Sequence, residues 1–381
     1  MNHNGLYQKS IEIIKRNQDP AGSYIASPNF KVYAYSWLRD GSYIAFAMDK
    51  VGEHGSARAF HLWVAEVVQR YRSKIAFIRK ALEAGHRLKD QDFLFTRYSL
   101  AGYEDMTDES WGNFQYDGYG TWLWALWEHY KITSDRQFMT EIWQSVLDVV
   151  DYLKLVWRLS SYDCWEEFPE FLHPYSLSCA YAGMMAALAM AEEGDFPIDK
   201  KTIKGEVEKI QQFTLKHGIF EGVMVKHIHP GMTQNPTSDL KTDSSFMGVL
   251  YPNRLFELDS EVGRGILDEI RFKLISKSGG VYRYKEDTYF GGGTWILLNA
   301  WLGWLEAKCG DFERAHSRLD WIADKADARG WLPEQLTDEV LYPEMVEPWV
   351  KQRGQVANPL LWSHAMYLIL SESLRHKKDE G

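Results

Sequence analysis

Cysteine is scarce in this chain. Three cysteines in 381 residues, Cys164, Cys179 and Cys309, are odd in number and widely spaced. They supply neither a disulfide framework nor a zinc cluster. No apolar run approaches the roughly 18 to 20 residues that a membrane span needs. The opening segment, MNHNGLYQKSIEIIKRN, has no apolar signal-peptide core. Positive charge is in deficit: the net charge of −10 argues against a nucleic-acid or anionic-membrane partner. No phosphate-binding loop, nucleophile elbow or dinucleotide fingerprint is present. Strand signals are nearly missing, with GGVYRYKEDTYFGGG the one β-like turn region. These absences predict a cytoplasmic, reduced protein with no metal and no cofactor. What the chain has in excess is rings: 16 Trp, 21 Tyr and 18 Phe, more Trp than core packing alone calls for.

Helical periodicity fills most of the remainder. Twelve helical segments are expected: one around Leu6 to Ile14, then 41–51 with Asp40 as its N-cap, 56–84, 119–132, 135–155, 174–193, 197–217, 244–250, 260–275, 294–307, 312–326 and 359–375. The links between them alternate. Those after helices 2, 4, 6, 8 and 10 are short or modest, whereas those after helices 1, 3, 5, 7, 9 and 11 run to roughly 17 to 33 residues, a length that usually signals function. In an antiparallel series every long link emerges at the same end. The pattern predicts an all-α domain of twelve helices in two concentric rings, six inner and six outer. No linker composition divides the chain, so residues 1–381 are expected to form a single domain.

The long loops carry charge beside rings. KVYAYSWLRDGS places Arg39 and Asp40 after Tyr33, Tyr35 and Trp37, a set suited to a polyhydroxylated ligand: charges pair with hydroxyls and sugar C–H faces lie on rings. WGNFQYDGYGTW brings Trp111, Gln115 and Asp117. DCWEEFPEFLHP sets Glu166 and Glu167 between Trp165 and Phe168, where desolvation would raise a carboxyl pKa and make a general acid. VYRYKEDTYFGGGTW holds Arg283, Tyr284, Asp287, Tyr289 and Trp295. WLPEQLTDEVLYPEMVEPW holds Glu334, approached by Trp331, Leu332 and Pro333, while Glu339, Glu344 and Glu347 read as solvated. His227 and His229 could offer two imidazoles to a metal, but no third ligand is near in sequence. Asp243 reads as a helix cap. Two acids across an aromatic cleft, Glu166 and Glu334, are the minimal apparatus for glycoside hydrolysis.

These motifs, in this order, resemble the glucoamylase family of inverting α-glucosidases, whose catalytic domain is an (α/α)6 barrel. WLRD at 37–40 is similar to the family's W-x-R-D, whose Arg and Asp hold the non-reducing glucose. Tyr33 takes the place of the tyrosine near the reacting carbon. WGNFQYDG at 111–118 looks like the family's tryptophan segment and puts Trp111 at the subsite. DCWEE at 163–167 matches the acid motif, which implies Glu166 as general acid and Glu167 as a hydroxyl contact. RYKEDTYFGG at 283–292 resembles the segment that contributes Arg283, with Trp295 just beyond it as a further ligand contact. PEQ at 333–335 resembles the base motif, which implies Glu334 as general base. PLLWSHAMYL at 359–368 looks like the closing helix.

The resemblance implies release of β-glucose from the non-reducing end of α-glucosides. Neither the N-terminal β-sandwich nor the starch-binding domain common in the family is expected here, which favours short oligosaccharides of the isomaltose or maltose type. The competing expectations are a non-hydrolytic carbohydrate-binding protein on the same barrel and a trehalase. The oligomeric state is not legible.

Overall fold

The computed structural model describes residues 3–105, 111–231 and 241–375. Its helices are α1 (His3–Arg16), α2 (Leu38–Lys50), α3 (His54–Glu83), α4 (Asp117–Thr133), α5 (Arg136–Val156), α6 (Pro174–Glu193), α7 (Lys200–His217), α8 (Phe246–Leu250), α9 (Glu261–Lys273), α10 (Ile296–Lys308), α11 (Phe312–Asp324), α12 (Val346–Arg353) and α13 (Leu361–Arg375). Six of them close a ring by successive packing: α2 on α4, α4 on α6, α6 on α8, α8 on α10, α10 on α13, and α13 back on α2. The other ring lies outside, with α3 against α2 and α5, α7 against α6, α9 against α8, α11 against α10 and α13, and α1 against α13. This is the expected double ring, an (α/α)6 barrel.

Sequence composition explains which helices go where. A helix walled in by neighbours is apolar all round, and a peripheral one shows a single stripe. In α10 every residue from Ile296 to Ala307 is buried, whereas α7 buries only Ile203, Val207, Ile210 and Thr214. The small residues of α6 let it approach α4 closely. A Cβ placed on Gly120 would lie 2.1 Å from the Cys179 carbonyl oxygen, and one on Gly183 would lie 2.7 Å from the Gly120 Cα. The tryptophans of the apolar runs, Trp63, Trp143, Trp301 and Trp304, are all buried.

Three expectations need correction. Helix α2 starts at Leu38, three residues early, so Asp40 lies in its first turn and Trp37 occupies the cap position without a side-chain bond. A thirteenth helix, α12, occupies the last long loop. Its eight residues include a proline and no buried side chain, so helical periodicity has nothing to register. The described residues also form three two-residue ladders: β1 (Ser36–Trp37) with β2 (Arg97–Tyr98), β3 (Ile219–Phe220) with β4 (Val223–Met224), and β5 (Thr294–Trp295) with β6 (Gln335–Leu336). The anticipated β-like turn gives only the isolated bridges Ile275–Val281 and Tyr282–Thr294. The ladders β1–β2 and β5–β6 tie long loops together just ahead of α2 and α10, at the end of the ring where the inner helices begin.

Candidate active site

A cavity of about 300 Å³ opens at that end. All ten residues singled out from the sequence line it: Tyr33, Trp37, Arg39, Asp40, Trp111, Glu166, Glu167, Arg283, Trp295 and Glu334. They come from five loops and the first turn of α2.

Each candidate acid is held by its own ring. The Trp37 indole donates to Glu166 Oε1 at 2.6 Å, and the Tyr33 hydroxyl donates to Glu334 Oε1 at 2.9 Å. The two rings pack edge-on, with centroids 5.5 Å apart. Glu166 sits in a tight turn around Asp163. Asp163 Oδ1 accepts from the backbone N–H groups of Trp165 and Glu167 at 2.9 Å, and the Glu166 N–H donates to the Asp163 carbonyl at 3.0 Å. The turn places Glu166 at φ 68°, a left-handed conformation that costs any non-glycine residue energy and is concentrated at functional positions. Its base is braced from below. The Trp165 indole donates to Asp243, which also pairs with Lys226 at 3.0 Å, and His173 bonds the carbonyls of Ser161 and Phe168.

Glu334 is fixed by backbone on both sides. Its N–H donates to the Ala357 carbonyl at 2.9 Å, and its own carbonyl accepts from the Ile296 N–H at the start of α10. Two charge clusters flank the acids. Arg39 pairs with Asp117 at 2.8 Å and Asp40 at 3.7 Å, and lies 4.0 Å from Glu166. Arg283 makes a two-pronged pair with Asp287 at 2.7 and 2.5 Å and lies 3.8 Å from Glu167. The Tyr284 hydroxyl also donates to Glu167. Both guanidiniums are buried and therefore fixed in direction, which suits recognition of hydroxyls in defined positions.

The two acids differ in burial. The desolvated carboxyl is Glu334, only 2% exposed, rather than Glu166, whose side chain stays 19% exposed. Burial pushes Glu334 up to about 8, against the Tyr33 hydrogen bond and the Arg283 charge, which pull it down. Its second oxygen, Oε2, has no hydrogen-bond partner among the described residues. Burial likewise raises Asp40 to about 7, opposed by Arg39. Asp163 rises to about 8, through burial first and Glu167 second.

Further wall residues stand beside the ten: Tyr289 and Trp362 belong to stretches already quoted from the sequence, whereas Trp349 and Arg353 were not singled out there. Trp349 and Arg353 come from α12, Trp362 from α13, and Tyr289 joins its hydroxyl to that of Tyr33 at 2.9 Å. Trp349 and Tyr289 pack edge-on at 5.0 Å. Asp243 does more than cap: it accepts from the Ser245 N–H but chiefly anchors Trp165 and Lys226. His227 lies among Phe168, Phe171 and His173, and the pair with His229 joins no metal-ligand cluster among the described residues. Glu344 and Glu347 are exposed, as expected of solvated acids, while Glu339 accepts from the N–H groups of Lys277 and Ser278. No helix among the described residues is long and apolar enough to cross a membrane.

The family model described as "Glycosyl hydrolases family 15" matches residues 1–342. An isomaltose glucohydrolase from Kribbella flavida is 36% identical over 371 residues, which cover 97% of this chain and 92% of that one. Among solved structures, a glycosidase variant in complex with glucose superposes with a TM-score of 0.87 at 34% identity, covering 98% of this chain and 97% of the other. A bacterial glucoamylase complexed with acarbose shares the fold alone, with a TM-score of 0.73 at 20% identity over 99% of this chain and 56% of that one.

Proposed function

Since the chain belongs to the glycosyl hydrolases of family 15, we propose that it releases β-glucose from the non-reducing end of short α-glucosides, with isomaltose the preferred class. The observation that carries this reading is a single cavity in which Glu166 and Glu334, on separate loops, face a lining of fixed guanidiniums and rings. At about 300 Å³ the cavity is at the small end of ligand sites, which span roughly 300–1,000 Å³. That size favours a disaccharide over a polymer. Trp349 and Arg353 line it from the additional helix α12, and they are the residues best placed to choose the sugar beyond the scissile bond. The relative that hydrolyses isomaltose, by its name, supports the same linkage.

In this reading the terminal glucose is gripped by Arg39, Asp40, Glu167 and Arg283 and stacked on Trp37, Trp111 and Trp295. Glu166 gives its proton to the glycosidic oxygen as the C1–O bond breaks. Glu334, ionised, takes a proton from a water that attacks C1 from the opposite face, so the anomeric configuration inverts. Tyr33 positions that base, and Tyr289 backs Tyr33. The reaction calls on no metal. Residues 1–381 act as one catalytic unit; the packing of α1 on α13, the first and last helices, supports this. Three free thiols support a cytoplasmic setting, and the net charge of −10 argues against a nucleic-acid partner.

The test is glucose release from isomaltose, maltose, trehalose and maltotetraose at equal concentration. Isomaltose should turn over fastest. Preference for trehalose would replace this reading with a trehalase, and no release from any of the four would leave a sugar-binding protein.

A further inference from the structure

The opposite end of the barrel holds a cluster that the glycosidase reaction does not use. Asp49 lies near the C-terminus of α2, His61 in α3 and His129 near the end of α4. Ten residues of α2 separate Asp49 from Arg39, which at ~1.5 Å per residue places the cluster about 15 Å from the sugar-binding end. All three side chains are buried, at 3%, 0% and 1% exposure. Each can offer one ligand atom such that the three atoms lie within 4.8 Å of one another.

The bonding inside the cluster is incomplete. His129 Nδ1 contacts both oxygens of Asp49, at 2.9 and 3.0 Å, and the half-exposed His54 contacts Oδ1 at 2.9 Å. No lysine or arginine pairs with Asp49 among the described residues. Neither ring nitrogen of His61 has a hydrogen-bond partner among the described residues, and His129 Nε2 has none either. An imidazole buried with both nitrogens unpaired keeps the full desolvation penalty of those polar atoms with no hydrogen bond to offset it. The rings of His61 and His129 lie side by side, tilted 46° to one another with centroids 5.2 Å apart. A buried carboxylate without a full cation, beside imidazole lone pairs without a donor, is the environment a divalent cation completes.

We propose that Asp49, His61 and His129 form a structural site for a borderline transition-metal ion, zinc in the first instance. Two imidazoles and one carboxylate are a zinc-type donor set. Bonds of ~2.0–2.1 Å put tetrahedral ligand atoms about 3.4 Å apart, within reach of small side-chain rotations here. A water takes the fourth position. The ion would clamp the inner helices α2 and α4 to the outer helix α3, and would touch stability rather than turnover.

The test uses untagged full-length protein produced with zinc in the medium and dialysed into metal-free buffer. Elemental analysis should find about one zinc per chain. His61→Gln and Asp49→Asn should each lose it, and both should keep glucose release near that of the unmodified protein. Stripping the unmodified protein with a chelator should lower its melting temperature, with recovery on adding zinc. Absence of zinc from the unmodified protein, with no change in melting temperature on chelation and zinc addition, overturns the proposal whether or not the variants fold. Zinc retained in full by His61→Gln also overturns it, since surface histidines would then hold the ion.

Discussion

The Tyr33 hydroxyl stands 2.9 Å from Glu334 Oε1 and 2.9 Å from the hydroxyl of Tyr289. Tyr33 donates to the carboxylate, so Tyr289 donates to Tyr33, and the chain of hydroxyls favours the ionised form of an acid that burial otherwise pushes up to about 8. This small network sets how much Glu334 is available as a base near neutral pH.

Tyr33→Phe removes the hydrogen bond and leaves the burial. A bond to a charged group contributes about 1.5–3 kcal/mol, which converts to a rise of roughly one to two pH units in the Glu334 pKa. The acid limb of the kcat/KM profile should move to higher pH by that amount. A profile that drops uniformly without shifting would contradict the role given to Tyr33.

Glu334 also couples stability to pH, with a sign opposite to that of most acids. Its folded pKa, about 8, exceeds the usual 4.5. The folded state therefore gains most from it below about 4.5, and that gain is lost as pH rises through about 8. Glu334→Gln removes the titration. Its melting temperature relative to the unmodified protein should climb between pH 5 and pH 8, measured by calorimetry at each pH. A constant difference would show that Glu334 titrates in its ordinary range.

Glu166→Gln should remove protonation of the leaving group while keeping the fold. General acid catalysis contributes about 10²–10⁴-fold, and isomaltose turnover should fall within that range. Hydrolysis of α-glucosyl fluoride, whose leaving group needs no proton, should persist far better. Equal loss on both substrates would place Glu166 in binding rather than in proton transfer.

Gly183→Ala tests the approach of α6 to α4. The new Cβ would meet the Gly120 backbone at 2.7 Å, so the two inner helices must separate. Overpacking of this kind costs about 1–3 kcal/mol or more. Chemical denaturation should show the midpoint falling, with glucose release reduced in proportion to the fraction unfolded.

The barrel was legible because its helices show clear apolar periodicity, α6 and α10 most of all, and its long links fall at every second connection. The ten site residues were legible because their loops pair acids and guanidiniums with rings at short range. Features assembled from distant segments left no local trace. The ladder from Trp295 to Gln335 joins loops 40 residues apart with two residues on each side. Glu334 owes its burial to enclosure by other loops, and its own neighbours along the chain distinguish it little from Glu166. Asp49, His61 and His129 lie on three helices and have no spacing that a motif could capture. Trp349 sits on a helix too short and too polar to register.

The central claim is inversion by Glu166 and Glu334 acting from opposite faces of the glucose. Proton NMR of the first minutes of isomaltose hydrolysis tests it directly, before the anomers equilibrate. The account predicts that β-glucose appears first and α-glucose follows by mutarotation. Initial release of α-glucose would mean retention, with a covalent intermediate in place of an activated water, and would contradict it.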